Sequence, residues 1–145
     1  MFQSIVVGTD GSPSAGAAVA QAVSLARTCG AKMHLVTAYR PIEAMSLPPE
    51  VMPANIHEIM NPHDDAMAVL NEAAGKAKAD GVEVDLHACA GDPAGALIEV
   101  AEAVGADCIV VGNRGMTGKS RFLLGSVPNK VSHHAPCSLL IVRTS

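Results

Sequence analysis

The feature that most constrains the fold is a regular alternation of short apolar runs with longer segments of helical hydrophobic spacing. Runs typical of strands lie at 4–9, 32–39, 82–88, 107–111 and 138–143. Segments typical of helices lie between them at 13–29, 64–80, 93–104 and from 126 onward. Such alternation is typical of a parallel sheet with helices on both faces and right-handed crossovers. The sequence therefore predicts an α/β fold: a single doubly wound, Rossmann-like sheet of five parallel strands, for which we expect the order 3-2-1-4-5.

The length of 145 residues is that of one domain, so we expect 1–145 to form a single unit. Residues 41–63 interrupt the alternation with five prolines and three methionines. A loop this long is unusual in a compact domain, and two interpretations stay open: a surface excursion, or a lid or partner-docking segment. His57 and His63 lie close to Asp64 in the sequence, but a local cluster on such a loop is weak support for a metal site, and none is predicted.

A glycine-rich stretch from Gly112 to Ser126 joins a predicted buried strand to a predicted helix. Glycines let the backbone approach an anion closely, and the free N–H groups of a helix start point toward it. In doubly wound sheets, ligands bind at the carboxyl ends of the strands, where the winding reverses. If strands one and four are neighbours, Thr9 and Asp10 face Gly112 across that crevice.

The charge distribution indicates a small anionic ligand at the same stretch. Residues 112–145 carry five basic residues and no acidic one, whereas 1–111 carry the other five basic residues and all fourteen acidic ones. Nucleic acid usually needs a wider basic face. Aromatic residues, on which single strands stack, make up only 2% of the chain. We therefore expect no nucleic-acid partner.

Two common nucleotide motifs are not matched, and a third pattern is. The dinucleotide fingerprint G-x-G-x-x-G is missing after strand one, and in a P-loop the first glycine would stand where Asn113 does. A P-loop-type NTPase is therefore the least favoured interpretation. The spacing G-x2-G-x9-G-[ST] is met by Gly112, Gly115, Gly125 and Ser126.

With this spacing, the chain resembles the ATP-binding branch of the universal stress protein family. The resemblance extends over the whole chain and includes the segments 6–12, 91–93, 124–127 and 134–137. It implies that Asp10 binds ribose hydroxyls or helps to hold Mg²⁺, although Asp10 could instead only cap its own turn. It also implies that the Ala38 backbone contacts adenine.

The remaining implied contacts are with the ribose and the phosphates. Gly112 and Gly115 would wrap both, because a Cβ there would block close approach. Gly125, Ser126 and Val127 would donate backbone N–H groups, and Ser126 also its hydroxyl. Arg114 would screen phosphate charge or remain solvated.

The nucleotide itself is expected to be ATP, with AMP or cAMP as alternatives. Pro128 follows the Gly-Ser-Val segment, and proline has neither a hydroxyl nor an N–H. Its presence removes possible contacts to a terminal phosphate, which makes AMP and cAMP more credible ligands.

Catalysis is not predicted, because no set of Ser, His and acidic residues can be identified from spacing. The family resemblance implies a nucleotide-binding stress-response and signalling protein with at most weak ATP hydrolysis. The alternative is a nucleotide-independent stress protein that acts through protein contacts.

The last strand bears on the assembly of the protein, and the cysteines bear on its location. The apolar run Ser138 to Val142 closes the chain, and the resemblance implies a homodimer through it. The four cysteines form no C-x-x-C pair, which is typical of reduced thiols in a cytoplasmic protein. We expect no signal peptide and no membrane segment, because no apolar run reaches the ~18 residues that span a bilayer.

Overall fold

The computed structural model describes residues 1–44, 48, 50, 53–113 and 124–144, and it contains one five-stranded parallel sheet. The strands are β1 (Ser4–Gly8), β2 (Lys32–Tyr39), β3 (Val84–Ala90), β4 (Cys108–Gly112) and β5 (Ser138–Val142). The helices are α1 (Pro13–Cys29), the single turn α2 (Ile56–Ile59), α3 (Pro62–Ala79), α4 (Pro93–Val104) and α5 (Ser126–His134). The strand order is β3-β2-β1-β4-β5. The predicted fold class and strand order are confirmed.

The sheet carries a separate apolar layer on each face. Helices α1 and α3 pack on one face, where Leu70 of α3 meets Met33 and Leu35 of β2. Helix α4 and Val131 of α5 pack on the other face, against Val6 of β1 among others. The two layers follow from right-handed crossovers, because the chain winds from β1 to β3 in one direction and then crosses to β4 and β5 in the other.

Most helix ends lie where the sequence predicts them. The Ser12 side chain caps α1 by accepting from the Ala15 N–H at 3.2 Å, and Asp92 caps α4 by accepting from the Gly95 N–H at 2.8 Å. Each of these helices has proline at its first position, where the missing N–H costs nothing. Gly30 and Gly105 end them in the left-handed conformation, with φ of 67° and 64°.

The segment predicted as a loop at 41–63 contains more helix than expected. Ile42–Ala44 form a 3₁₀ turn and Ile56–Ile59 form α2. Helix α3 begins at Pro62 rather than at Asp64, because the Asn61 side chain accepts from the Asp64 N–H and caps the helix earlier. None of the helices in the described ranges is both long and apolar enough to cross a membrane.

All four cysteines are free thiols in the structure. Cys108 is buried in β4, and desolvation raises the pKa of its thiol to about 11. Burial also raises the pKa of the thiols of Cys89 and Cys137. These three cysteines are therefore held in the unreactive thiol form at neutral pH.

Candidate functional site

An open pocket lies at the carboxyl ends of β1 and β4, where the winding of the sheet reverses. β1 and β4 are parallel neighbours, with Val7 opposite Val110, so the loop after each strand borders the same crevice. The described residues that line the pocket come from both strands, from β2 and from the starts of α1, α4 and α5: Gly8, Thr9, Asp10, Ser12, Ser14, Ala15, Ala18, Val36, Ala38, Pro93, Leu97, Val111, Gly112, Val127 and Pro128. This is the position at which doubly wound folds bind ligands.

The loop after β1 is held by hydrogen bonds to β2 and within the loop itself. Thr9 is 9% exposed; its N–H donates to the Val36 carbonyl at 2.9 Å, and its carbonyl accepts from the Thr37 hydroxyl at 2.8 Å. Asp10 is exposed at the rim, and its Oδ1 accepts from the Ser12 N–H at 2.9 Å. Asp10 therefore does cap its own turn, while its carboxylate also lines the pocket.

One part of the pocket wall is apolar. Val36, Ala38, Leu97 and Val111 form it, and all of them belong to the α4-side core. A Cβ on Gly8 would lie only 3.2 Å from Leu97 Cδ2, so a side chain at this position would push the tip of Leu97 back by a few tenths of an ångström. We call this part the apolar slot; an apolar lining suits an uncharged ring better than a charged group.

The start of α5 forms the polar end of the pocket. Gly125 is the N-cap residue, and no side chain caps the helix. The Gly125 N–H donates to the Asn113 carbonyl at 3.0 Å. Among the described residues, no acceptor meets the N–H of Ser126 or of Val127. Uncapped N–H groups at a helix start favour an anion.

Two interactions hold α5 in this place. The Asn113 side-chain oxygen accepts from the Thr144 N–H at 2.9 Å and from the Thr144 hydroxyl at 3.1 Å, so Asn113 ties the end of β5 to the start of α5. The Lys130 ammonium lies 3.1 Å from Asp92 Oδ2. The pKa of Asp92 is lowered, chiefly by the hydrogen bond from the Gly95 N–H and then by Lys130, so the carboxylate stays charged and joins α4 to α5.

The family model of the universal stress proteins matches residues 1–143. The chain belongs to the universal stress protein family. It is 34% identical over 148 residues to the universal stress protein YxiE of Bacillus subtilis, a match that covers 99% of this chain and 100% of YxiE.

Two solved universal stress proteins with nucleotides have the same fold. One, in complex with cAMP, is 36% identical to this chain with a TM-score of 0.74. The match covers 99% of this chain and 98% of the solved chain. The other, from Arabidopsis thaliana with AMP bound, is 18% identical with a TM-score of 0.71 and covers 99% and 92% of the two chains. At this lower identity the likeness concerns the fold alone.

The universal stress protein pocket gathers most of the site residues that the sequence indicated. Thr9, Asp10, Ala38, Gly112 and Val127 line it. Gly125 and Ser126 are not lining residues, but they begin α5 directly before Val127. Arg114 and Gly115 lie outside the described residues, so their predicted contacts stay predictions.

Sequence reasoning missed Leu97 and Asn113 as residues of the site. Leu97 lies on the buried side of α4, and its place in the second turn after Gly91-Asp92-Pro93 was a usable signal that went unused. Asn113 had no signal of its own, because its partners Gly125 and Thr144 are brought to it by the topology.

Proposed function

We propose that this protein binds an adenine nucleotide at the crevice between β1 and β4 and acts as a stress-response signalling module in the cytoplasm. The observation that carries the proposal is the junction of an apolar slot with the uncapped start of α5 in one pocket. Family membership and the cAMP bound to the 36% identical relative support it. Four free cysteines favour a reducing compartment.

Each part of the nucleotide has a matching part of the pocket. Adenine fits the apolar slot beside Ala38 and Leu97, and the ribose hydroxyls fit the Asp10 carboxylate at the rim. Phosphate fits the backbone at Gly112 and the free N–H groups of Ser126 and Val127. If Mg²⁺ accompanies the nucleotide, Asp10 is the described lining residue with a carboxylate to offer it.

Calorimetric titration with ATP, AMP and cAMP tests the proposal, together with mass spectrometry of any nucleotide released from the purified protein on denaturation. Ser126→Asp is the informative variant, because a carboxylate at the first position of α5 favours the helix but repels phosphate. We expect its affinity to fall at least about tenfold, or roughly 1.4 kcal/mol.

Ser132→Asp, an exposed position later in the same helix, is the matched control. It adds the same charge away from the pocket, so nucleotide affinity should stay near that of the wild type. If no adenine nucleotide binds the wild type, the proposal is wrong. The protein would then act through protein contacts, the alternative that the sequence left open.

We propose that the protein is not an efficient enzyme. Among the described lining residues, serines lie at 12 and 14 but no histidine accompanies them, so the usual pairing of a serine nucleophile with a histidine base is not found there. Phosphate release from ATP should therefore stay below about 1 s⁻¹, the lower end of ordinary turnover. Faster release by the purified protein, lost in Asp10→Asn, would contradict this.

We also propose a homodimer that pairs through β5. Among the described strands, this one hydrogen-bonds only to β4, so no other described strand covers its second side. Leu140 and Ile141 on it are 39% and 37% exposed. An apolar edge with unpaired backbone groups favours pairing with a second copy. Light scattering at micromolar concentration should give the mass of two chains, and a monomer mass would contradict the proposal.

A further inference from the structure

The first turn of α5 offers fewer hydrogen-bond donors than an ordinary helix start. An α-helix leaves its first four N–H groups without an intrahelical acceptor. Here the Gly125 N–H is used by the Asn113 carbonyl, and Pro128, at the third helical position, has no N–H. Only the N–H groups of Ser126 and Val127 are left for a ligand.

Pro128 stands directly in the pocket wall. It is buried, it begins the buried side of α5 together with Val131, and it lines the pocket beside Val127. Any phosphate that reaches beyond the first two N–H groups of α5 therefore meets a ring of CH₂ groups. An anionic oxygen against that ring is desolvated without gaining a hydrogen bond.

The charge of the described lining residues also disfavours a triphosphate. Asp10 is the only charged side chain among the described residues that line the pocket. A carboxylate repels a polyphosphate more strongly than a single phosphodiester, because the triphosphate carries more negative charge. The two available N–H groups can donate to two oxygens of one phosphate group.

We propose that Pro128 is a specificity-determining residue that makes this pocket select adenosine with a single phosphate group, as in cAMP or AMP, over ATP. The inference rests on the proposed function and names the ligand class of the same site. The observation that carries it is the missing third N–H group, at a proline that lines the pocket.

The experiment is a calorimetric comparison of cAMP, AMP and ATP, with and without Mg²⁺, in the wild type and in two variants. Pro128→Ala restores the N–H group, and Pro128→Ser restores the N–H group and adds a hydroxyl. We expect the wild type to bind cAMP or AMP at least about tenfold more tightly than ATP. Either variant should bind ATP more tightly and so reduce the ratio of cAMP or AMP affinity to ATP affinity about tenfold. The separate titrations with cAMP and AMP identify which of these two nucleotides is preferred.

Pro136→Ala is the control, because this exposed proline lies between α5 and β5 and outside the pocket lining. It should leave all affinities unchanged. If the wild type binds ATP as tightly as AMP and cAMP, or if both Pro128 variants keep the wild-type ratio, the selectivity inference is overturned while nucleotide binding stands. If no nucleotide binds, both proposals are overturned. Circular dichroism confirms that each variant is folded before titration.

Discussion

The two edges of the sheet are built from opposite kinds of side chain. At the β3 edge, the Lys32 ammonium lies 2.9 Å from an Asp85 carboxylate oxygen and 3.6 Å from a Glu83 carboxylate oxygen. Close by, His34 Nδ1 lies 3.0 Å from His87 Nε2. The β5 edge has no Asp, Glu, Lys or Arg between Ser138 and Val142, and its exposed residues include leucine and isoleucine.

This difference indicates what each edge can do in assembly. Charged side chains along an edge strand disfavour pairing with another sheet, whereas an uncharged apolar edge favours it. A protein with one open and one protected edge can pair once, through a two-fold axis, and the pair then has two protected outer edges. The contrast therefore favours a closed dimer over a growing fibre.

The largest effect on assembly is expected from a charge placed on the open β5 edge. In Ile141→Lys, pairing would have to bury or displace an unpaired ammonium group at the proposed interface. We expect the dimer dissociation constant to rise at least about 100-fold, since each factor of ten corresponds to roughly 1.4 kcal/mol. Sedimentation velocity over a concentration series measures this constant directly.

Glu83→Lys is the control for added positive charge, because Glu83 is 76% exposed beside the other edge. Its dissociation constant should stay close to the wild-type value. A dimer that survives Ile141→Lys unchanged would show that β5 is not the interface.

A smaller effect is expected from loosening the end of the open edge. Asn113→Ala removes the acceptor of two hydrogen bonds from Thr144, which follows β5. At about 1 kcal/mol for each bond, the free energy of unfolding should fall by about 1–2 kcal/mol. Urea unfolding measures the loss; Asn113→Asp, which keeps an acceptor oxygen, should recover part of it. If both variants lose the same free energy of unfolding, the two hydrogen bonds to Thr144 are not the source of the loss.

The roles of Asn113 and of the His34–His87 pair show where sequence reasoning ends. Alternation, caps and glycine stops are local, and they predicted the doubly wound fold class and the starts of α1 and α4. The expected strand order came with that fold class. The two histidines are 53 positions apart and Asn113 lies 31 positions from Thr144. Such pairs depend on which strands become neighbours and in which register, and no local pattern encodes that. Leu97 differs, because its place after Gly91-Asp92-Pro93 was a local signal, although its distance to Gly8 is a packing result.

The protected edge should weaken in acid. Burial is the main cause that lowers the pKa of both His34 and His87. The neighbouring His87 lowers the pKa of His34 further. For both histidines, Asp85 partly opposes the shift and Lys32 adds to it. Below the unfolded histidine pKa of about 6.5, the unfolded chain therefore binds more protons than the folded protein. The stability contributed by the neutral pair is present above that pH and is lost as pH falls through the lowered folded pKa values.

Thermal unfolding between pH 7.5 and pH 5 measures this loss, and His87→Gln should make the decline in melting temperature shallower. His133→Gln, at an exposed position near the end of α5, controls for the loss of a histidine as such. An identical pH slope in wild type and His87→Gln would refute the assignment of the effect to the pair.

The smallest stability effect is expected from the ion pair at the same edge, although its effect on assembly should be visible. The hydrogen bond with Lys32 lowers the pKa of Asp85 and raises that of Lys32. Both groups are largely solvated, and exposed pairs of this kind contribute little to stability. In the double variant Lys32→Gln/Asp85→Asn the melting temperature should barely change and should lose some of its dependence on salt.

If these charges protect β3 from pairing, the same variant should form species larger than a dimer in light scattering. Adding Ile141→Lys to the double variant should reduce the amount of these larger species. A double variant that stays dimeric at high concentration would mean that the shape of the edge, rather than its charge, keeps β3 unpaired.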